Sequence, residues 1–398
     1  MSEVVIVDAV RTAIGKRDGA LAHAHPTDVL GQVMMGLLRR NGLESGQVGQ
    51  VIGGCINKVG AQSMNVTRTA WLSHGGDESV PAITIDSQCG SSQQATNLAA
   101  HMILSDQADV VMACGVENMS LIPIGADSVA GVKCGYGKPV SRSYFAHYEF
   151  TSQFEGAERI ADRYQISREE TDRFGLESQR RAAHAIAAGY FDGQILPVEV
   201  PVLDESGKKT DMVETVERDE VPRETSLEAL AGLKPVAREN GVHTAGSSSQ
   251  IADGGAAVLL MSAQKAASLG LESLARIRRT ALVGCDPVLM LEGPIPATEK
   301  LLSDEGISIE DVDVFEINEA FASVVLAWAK ACGPDMARVN PNGGAIALGH
   351  PLGATGCVLL GKAAHELKRS GGRYGLVSMC CGGGLGTGTL LEAAEQRA

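Results

Sequence analysis

Asp86-Ser-Gln-Cys-Gly-Ser-Ser-Gln-Gln-Ala95 puts one cysteine where a strand hands over to a helix. Residues 81–85 (PAITI) read as a short buried strand, and beyond Cys89 apolar residues fall at Ala95, Leu98, Ala99, Met102 and Ile103. That i, i+3, i+4, i+7, i+8 spacing is the stripe of an amphipathic helix. A thiol at the first turn of a helix faces unpaired N–H groups and the positive end of the helix dipole. The position therefore predicts a thiol biased toward thiolate, and a good nucleophile at neutral pH. Taken alone, the stretch is better read as a small buried cysteine packing the start of a helix.

Two further stretches change that balance. Asn340-Pro-Asn-Gly-Gly-Ala-Ile-Ala-Leu-Gly-His-Pro-Leu-Gly-Ala-Thr-Gly356 wraps glycines 343, 344, 349, 353 and 356 around one histidine, His350, ahead of a helical run through Val358, Leu359, Leu360, Ala363 and Leu367. Such glycine density permits close backbone approach at an entropic cost that a plain loop has no reason to carry. Ser378-Met-Cys-Cys-Gly-Gly-Gly-Leu-Gly-Thr-Gly388 follows a strand-like segment at 374–377 and sets two adjacent thiols beside free backbone N–H groups. Neither cysteine belongs to a CxxC pair with a second cluster at zinc spacing, so proton transfer beside an oxyanion pocket suits them better than metal binding.

The order of these signals predicts an α/β fold. The two halves echo each other. Residues 51–53 precede VTRTAWLSHG and residues 312–317 precede SVVLAWAKACG, with Trp71 and Trp328 at comparable points. The Cys89-led helix plus a strand at 110–114 parallels the Gly353-led helix plus a strand at 375–379. Between the halves, 121–250 is richer in charge and contains a long helical run opened by Ser167 with Glu170 three residues on, a capping box. The segment reads as an insertion, and 243–254 returns the chain to the first half.

Taken with Asn318-Glu-Ala-Phe-Ala322, these motifs resemble the thiolase family over essentially the whole chain, from VVIVDAVRTAIGK onward. The resemblance implies two similar βαβ-rich halves stacked as αβαβα layers. It implies a first half at 1–120 with 251–272, a loop domain at 121–250 contacting coenzyme A, and a second half at 273–398. It implies acyl transfer to and from coenzyme A, with Cys89 as nucleophile, His350 as its base and Cys380 as the second, proton-handling thiol, leaving Cys381 at a variable position. One oxyanion pocket is then formed by His350 and a water held by Asn318, the other by the N–H groups of Cys89 and Gly382. Ser249 would approach the pantetheine, Phe321 would line the acyl pocket, and Arg223 would contact coenzyme A. Glu319 reads as readily as an anchor between loops. The family also implies a homodimer or homotetramer, no tightly bound cofactor and coenzyme A as co-substrate.

The chain departs from acetoacetyl-CoA-specific members where their His-Met-Gly segment is replaced by Ser152-Gln-Phe154, and Pro222 stands where an arginine is frequent. The segments SQFEGAERIA, GLESQRRA and SSSQIADGGAAVLL look like actinobacterial thiolases of fatty-acid and sterol side-chain breakdown. The expected activity is thus thiolysis of a longer or bulkier 3-ketoacyl-CoA to acetyl-CoA and a shortened acyl-CoA, with acetoacetyl-CoA formation as the alternative. A decarboxylating ketosynthase has no need of the Cys-x-Gly-Gly-Gly thiol. A non-catalytic acyl-CoA binding protein would not require all four catalytic groups, and no GxGxxG follows a first strand to support dinucleotide binding.

Composition agrees. The 398 residues carry a net charge of −14, which argues against nucleic acid or an anionic membrane as partner. Coenzyme A is itself anionic, so a local basic patch is expected, and Lys208, Lys209, Arg218, Arg223, Lys234 and Arg238 nominate 205–240. Nine cysteines without framework spacing, no signal peptide and no long apolar run fit a reducing, cytoplasmic setting without a metal site.

Overall fold

The run after Cys89 forms the helix Ser91–Leu104, and the run after Gly353 forms the helix Thr355–Ser370. Both were legible from apolar spacing, but neither is simply amphipathic. In the computed structural model, which describes residues 3–394, they lie side by side at the centre and are buried nearly all round. Their polar residues face the other half rather than solvent. Gln93 donates through Nε2 to Val377 O (2.9 Å) and accepts from Thr387 Oγ1 (2.6 Å), and Ser92 Oγ accepts from the N–H of Cys357 (3.0 Å). A Cβ on Gly356 would overlap the backbone nitrogen of Gln93, so glycine is what lets the two helix starts touch.

In chain order the strands are β1 (Val4–Arg11), β2 (Gly15–Lys16), β3 (Gln50–Gly54), β4 (Ala82–Ile85), β5 (Val110–Asn118), β6 (Val198–Leu203), β7 (Lys209–Val216), β8 (Ala252–Ser262), β9 (Ala275–Gly284), β10 (Val314–Ile317), β11 (Tyr374–Cys381) and β12 (Leu385–Ala393). The main path runs β10-β11-β12-β9-β1-β8-β5-β3-β4, with β2 paired to β8 and β6–β7 a separate ribbon. One seam in that path is thin, because β1 and β9 share only Val5–Arg276 and Ile6–Ala275.

On either side of the seam the topology repeats. Leaving out β2, the first half runs third-second-fourth-fifth-first (β4-β3-β5-β8-β1). The second half runs second-fourth-fifth-first (β10-β11-β12-β9), and its third place is held by a single parallel bridge from Val339 to Phe315. Strand directions match as well: β3–β5 and β10–β11 are parallel, while β5–β8, β8–β1, β11–β12 and β12–β9 are antiparallel. The two tryptophans, both fully buried, sit in the helix that follows the second strand of each half. By the usual measure of Trp→Ala changes, each such side chain is worth about 3–5 kcal/mol.

The packing clusters give the layers. One cluster joins the two central helices to the inner faces of both sheet halves. A second packs Pro26–Arg40 and Val66–Ser73 on the outer face of the first half, and a third packs Pro294–Glu305 and Ala322–Cys332 on the outer face of the second. The order is helix, sheet, helix, sheet, helix, as expected. Between β5 and β8 the chain leaves this frame to form Ala126–Lys133, Gln153–Arg163, Arg168–Ala187 and the β6–β7 ribbon. The helix Arg168–Ala187 opens on the Ser167/Glu170 capping box read from sequence.

Candidate active site

Parallel strands in both halves end on the same side, where α/β folds place their sites. Cys89 follows β4, Asn318 follows β10, and Cys380 lies near the end of β11. His350 precedes the second central helix. A pocket of about 590 Å³, counting its open mouth, is lined by Cys89, Met119, Phe154, Ser249, Phe321, His350 and neighbours. Asn318, Cys380, Gly382 and Arg223 do not line it. Asn318 and Cys380 are buried behind it, Gly382 is half-buried, and Arg223 is exposed.

The turn that presents Cys89 is held in an unfavourable backbone state. Gln88 has φ 53°, in the left-handed region, and is fixed there by its N–H donating to Asp86 Oδ1 (2.8 Å) and its carbonyl accepting from Ser91 N (2.9 Å). Such a residue costs of order 1–3 kcal/mol and persists only where its surroundings enforce it. The N–H groups of Cys89 and Gly382, the pair expected to serve as an oxyanion pocket, both lie near enough to the Cys89 sulfur to favour its thiolate.

The expectation of a thiolate-biased Cys89 is corrected here. Its thiol is pushed up to about 11, chiefly by burial against apolar side chains. Cys89 also precedes the helix cap Gly90, so it lies just before the first helical turn rather than within it. The two nearby N–H groups pull in the other direction, but desolvation wins.

His350 is buried and neutral at pH 7, its imidazole lowered to about 4 by that burial. Thr355 Oγ1 lies 2.9 Å from Pro351 O and 2.7 Å from His350 Nδ1. With the hydroxyl proton on Pro351 O, Nδ1 carries the imidazole proton and Nε2 a lone pair, 3.4 Å from Asn318 Nδ2. The opposite end of that amide, Asn318 Oδ1, is buried without a protein partner.

Cys380 and Cys381 separate as adjacent strand residues must. Cys380 packs with Phe321, Leu291 and Met290 on the pocket side, whereas Cys381 joins the central core beneath Gly90. Burial first, and then neighbouring Cys89, push the Cys380 thiol well above its ordinary value. Cys380 is protonated in the resting state.

Glu319 acts as the anchor between loops. It accepts from Ser178 Oγ (2.6 Å), Asn340 Nδ2 (2.9 Å) and Ile346 N (3.2 Å), tying the inserted helix Arg168–Ala187 to the loop that leads to His350. Ser249 lines the pocket, its N–H donating to Ala320 O (2.9 Å). Two of the six residues nominated for a basic patch already have protein partners. Arg238 is spent on Glu155 and Asp162, both at 2.7 Å, and Arg223 holds Gln250 Oε1 (3.2 Å) and Ala245 O (3.0 Å) at the pocket mouth. Phe154 fills the wall where the His-Met-Gly segment was missed, its ring edge-on to Phe321 at 5.4 Å. Met119, Leu291 and Leu352 also line the pocket, and no motif in the sequence announced them.

Comparison with known proteins bears on the whole chain. Residues 4–264 match the model for the thiolase N-terminal domain, and residues 271–393 match that for the thiolase C-terminal domain. The chain belongs to the thiolase family. Among its thiolase relatives, a steroid 3-ketoacyl-CoA thiolase of Mycobacterium tuberculosis is 48% identical over 98% of this chain and 94% of its own length. An acetyl-CoA acetyltransferase of Pseudomonas aeruginosa is 42% identical over 98% and 99%. The crystal structure of an acetyl-CoA acetyltransferase of Bacillus anthracis superposes with a TM-score of 0.89 at 38% identity, covering 99% of each chain.

Proposed function

We propose that this thiolase cleaves a 3-ketoacyl-CoA longer or bulkier than acetoacetyl-CoA, using coenzyme A as co-substrate, and that Cys89, His350, Cys380 and Asn318 carry the chemistry. One observation bears most of the weight. Cys89, with the N–H groups of Cys89 and Gly382 near its sulfur, and the neutral His350 line one apolar pocket, and the protonated Cys380 thiol packs behind it against Phe321.

The steps follow from those protonation states. As the Cys89 sulfur attacks C3 of the substrate, its proton passes to His350 Nε2, and the new oxyanion accepts from the N–H groups of Cys89 and Gly382. Collapse breaks the C2–C3 bond, and the enolate of acetyl-CoA takes the Cys380 proton. A second coenzyme A gives its thiol proton to the Cys380 thiolate and attacks the acyl–Cys89 thioester. The departing Cys89 sulfur recovers its proton from His350. Losing one oxyanion donor in such a site typically costs about 3 kcal/mol of barrier. The buried, unpartnered Asn318 Oδ1 is the kind of acceptor that holds a bound water, supporting its role beside the enolate oxygen. Ser249 and Arg223 are assigned to coenzyme A from their places on the wall and at the mouth.

The acyl preference rests on the apolar wall of Met119, Phe154, Leu291, Phe321 and Leu352, and on the steroid-thiolase relative. A pocket gains only about 1–3 kcal/mol per methylene filled, so preference shifts without excluding short substrates. A thiolysis series from four carbons to sterol side chains is expected to show measurable acetoacetyl-CoA cleavage and a higher kcat/KM for medium-chain or sterol-derived substrates. A steep fall beyond four carbons would restore the acetoacetyl-CoA reading, and no cleavage of any member would remove the proposed activity.

We also propose a homo-oligomer, at least a dimer. β4 ends the sheet path with one edge open, Ile83 on it is 40% exposed, and Met64 beside the same edge is 88% exposed. An open edge with exposed apolar neighbours is a template for pairing. Sedimentation at micromolar concentration should give at least twice the chain mass of 41.5 kDa, and a monomer would end the proposal. The nine free cysteines support a reducing, cytoplasmic setting. No helix among the described residues is long and apolar enough to cross a membrane.

A further inference from the structure

Glu117 is a carboxylate one residue from the C-terminal end of the buried strand β5, fully shielded from solvent. Five hydrogen bonds converge on it, every one from a neutral donor. Its Oε1 accepts from Asn57 N (3.1 Å), Asn57 Nδ2 (3.2 Å) and Gln62 Nε2 (2.8 Å), and its Oε2 accepts from Ile56 N (3.0 Å) and Gly353 N (3.0 Å). The donors come from different parts of the chain. Residues 56–62 belong to the loop after β3, while Gly353 lies three residues beyond His350 in the other half of the molecule.

Where those loops meet, their apolar side chains make a small cluster of their own. Ile56, Met119 and Leu352 are buried together, and Cys89 packs on them. Each is tied to the same carboxylate: Ile56 donates to it, Met119 follows it by two residues in the chain, and Leu352 immediately precedes its donor Gly353. The tie extends to the pocket wall, because Asn57 Oδ1 accepts from Gly125 N (2.9 Å), next to Ile124.

We propose that Glu117 is a positioning residue for acyl transfer, clasping three separate loops into the floor on which the Cys89 side chain rests. The proposal rests on the reading of Cys89 as the nucleophile. The clasp needs an anion rather than a polar side chain of the same shape. In Glu117→Gln either orientation of the amide sets an NH2 group against at least two N–H donors, and donors left unpaired in a buried site are costly. The loops would then settle differently, and a small misplacement of reacting groups is enough to slow the chemistry.

The test is Glu117→Gln measured by quenched acylation of Cys89 and by steady-state thiolysis. The acylation rate and kcat are expected to fall about 100-fold while KM for coenzyme A stays within about two-fold, because the clasp sets geometry at the sulfur rather than coenzyme A contacts. Glu117→Asp, which keeps the charge but is one methylene short, should lie between, at least about 10-fold below wild type. It carries the test alone if the Gln variant does not fold. A Gln variant that melts earlier but acylates at the wild-type rate overturns the clasp, as does a fully active Asp variant. Mapping the acyl group in the wild-type enzyme separates the two ideas: a label away from Cys89 removes the nucleophile assignment, whereas a label on Cys89 with undiminished acylation in the variants removes the clasp only.

Discussion

Cys89→Ser is expected to lower thiolysis by about 10⁴-fold or more, with the protein folded and still able to bind coenzyme A. The expectation follows from the resting proton inventory. Burial holds the Cys89 thiol at about 11 and the His350 imidazole at about 4, so no preformed ion pair exists and the proton must move during attack. A thiol can make that transfer because sulfur is nucleophilic early in the step and the two N–H groups receive the developing charge. A serine hydroxyl is several units less acidic, and the same weak, buried base cannot activate it. Brief incubation of the wild-type enzyme with an acyl-CoA, followed by acid quench and peptide mass mapping, should place the acyl group on Cys89. Label on Cys380 or Cys381, or a serine variant retaining more than about a hundredth of the activity, would contradict the assignment.

Cys380 and Cys381 should part company when each is replaced. Cys380→Ala should stop carbon–carbon cleavage, with a loss of about 10³-fold or more, yet leave Cys89 open to acylation by a simple acyl-CoA. That transfer needs no proton for an enolate, and coenzyme A, unlike the enolate, can depart as a stable thiolate without the Cys380 proton. Cys381→Ala, facing the core beneath Gly90, should keep most of the activity and lose some stability, since a small buried side chain is shortened. Equal loss in both variants would mean that the wrong thiol has been turned toward the substrate. The comparison needs only acylation and thiolysis assays run side by side.

The fold was readable where spacing carried it. The helix after Cys89 and the strands around Val51, Val110 and Val314 stood out because apolar periodicity is local. The duplication was visible only as an echo, in two tryptophans and two glycine-led helices. Strand order and direction, which decide the matter, are long-range properties. The candidate site was legible where motifs mark it and illegible elsewhere. Cys89, His350 and Cys380 sit in runs of glycine that announce close backbone approach. Met119, Leu291 and Leu352 are ordinary apolar residues whose part in the pocket depends on where distant loops settle.

Glu117 left one clue, a lone carboxylate inside VVMACGVEN, and a charge in a strand that is otherwise buried could have prompted the search for its donors. The raised Cys89 thiol had no sequence signal at all. The helix-start argument counts N–H groups that can be read from the chain, while the desolvation opposing them comes from side chains gathered by the tertiary fold.

The repeat of the two halves has a consequence for when chemistry becomes possible. The proposed nucleophile heads one central helix and the proposed base heads its counterpart, and the second proposed N–H donor, on Gly382, belongs to the same late part of the chain as that base. A ribosome that has released only the first 330 or so residues has made a protein with the Cys89 sulfur but without its base or the second oxyanion donor. Such an intermediate is chemically quiet. Activity switches on only when the last stretches dock against the first, so turnover itself reports that both halves are complete and joined.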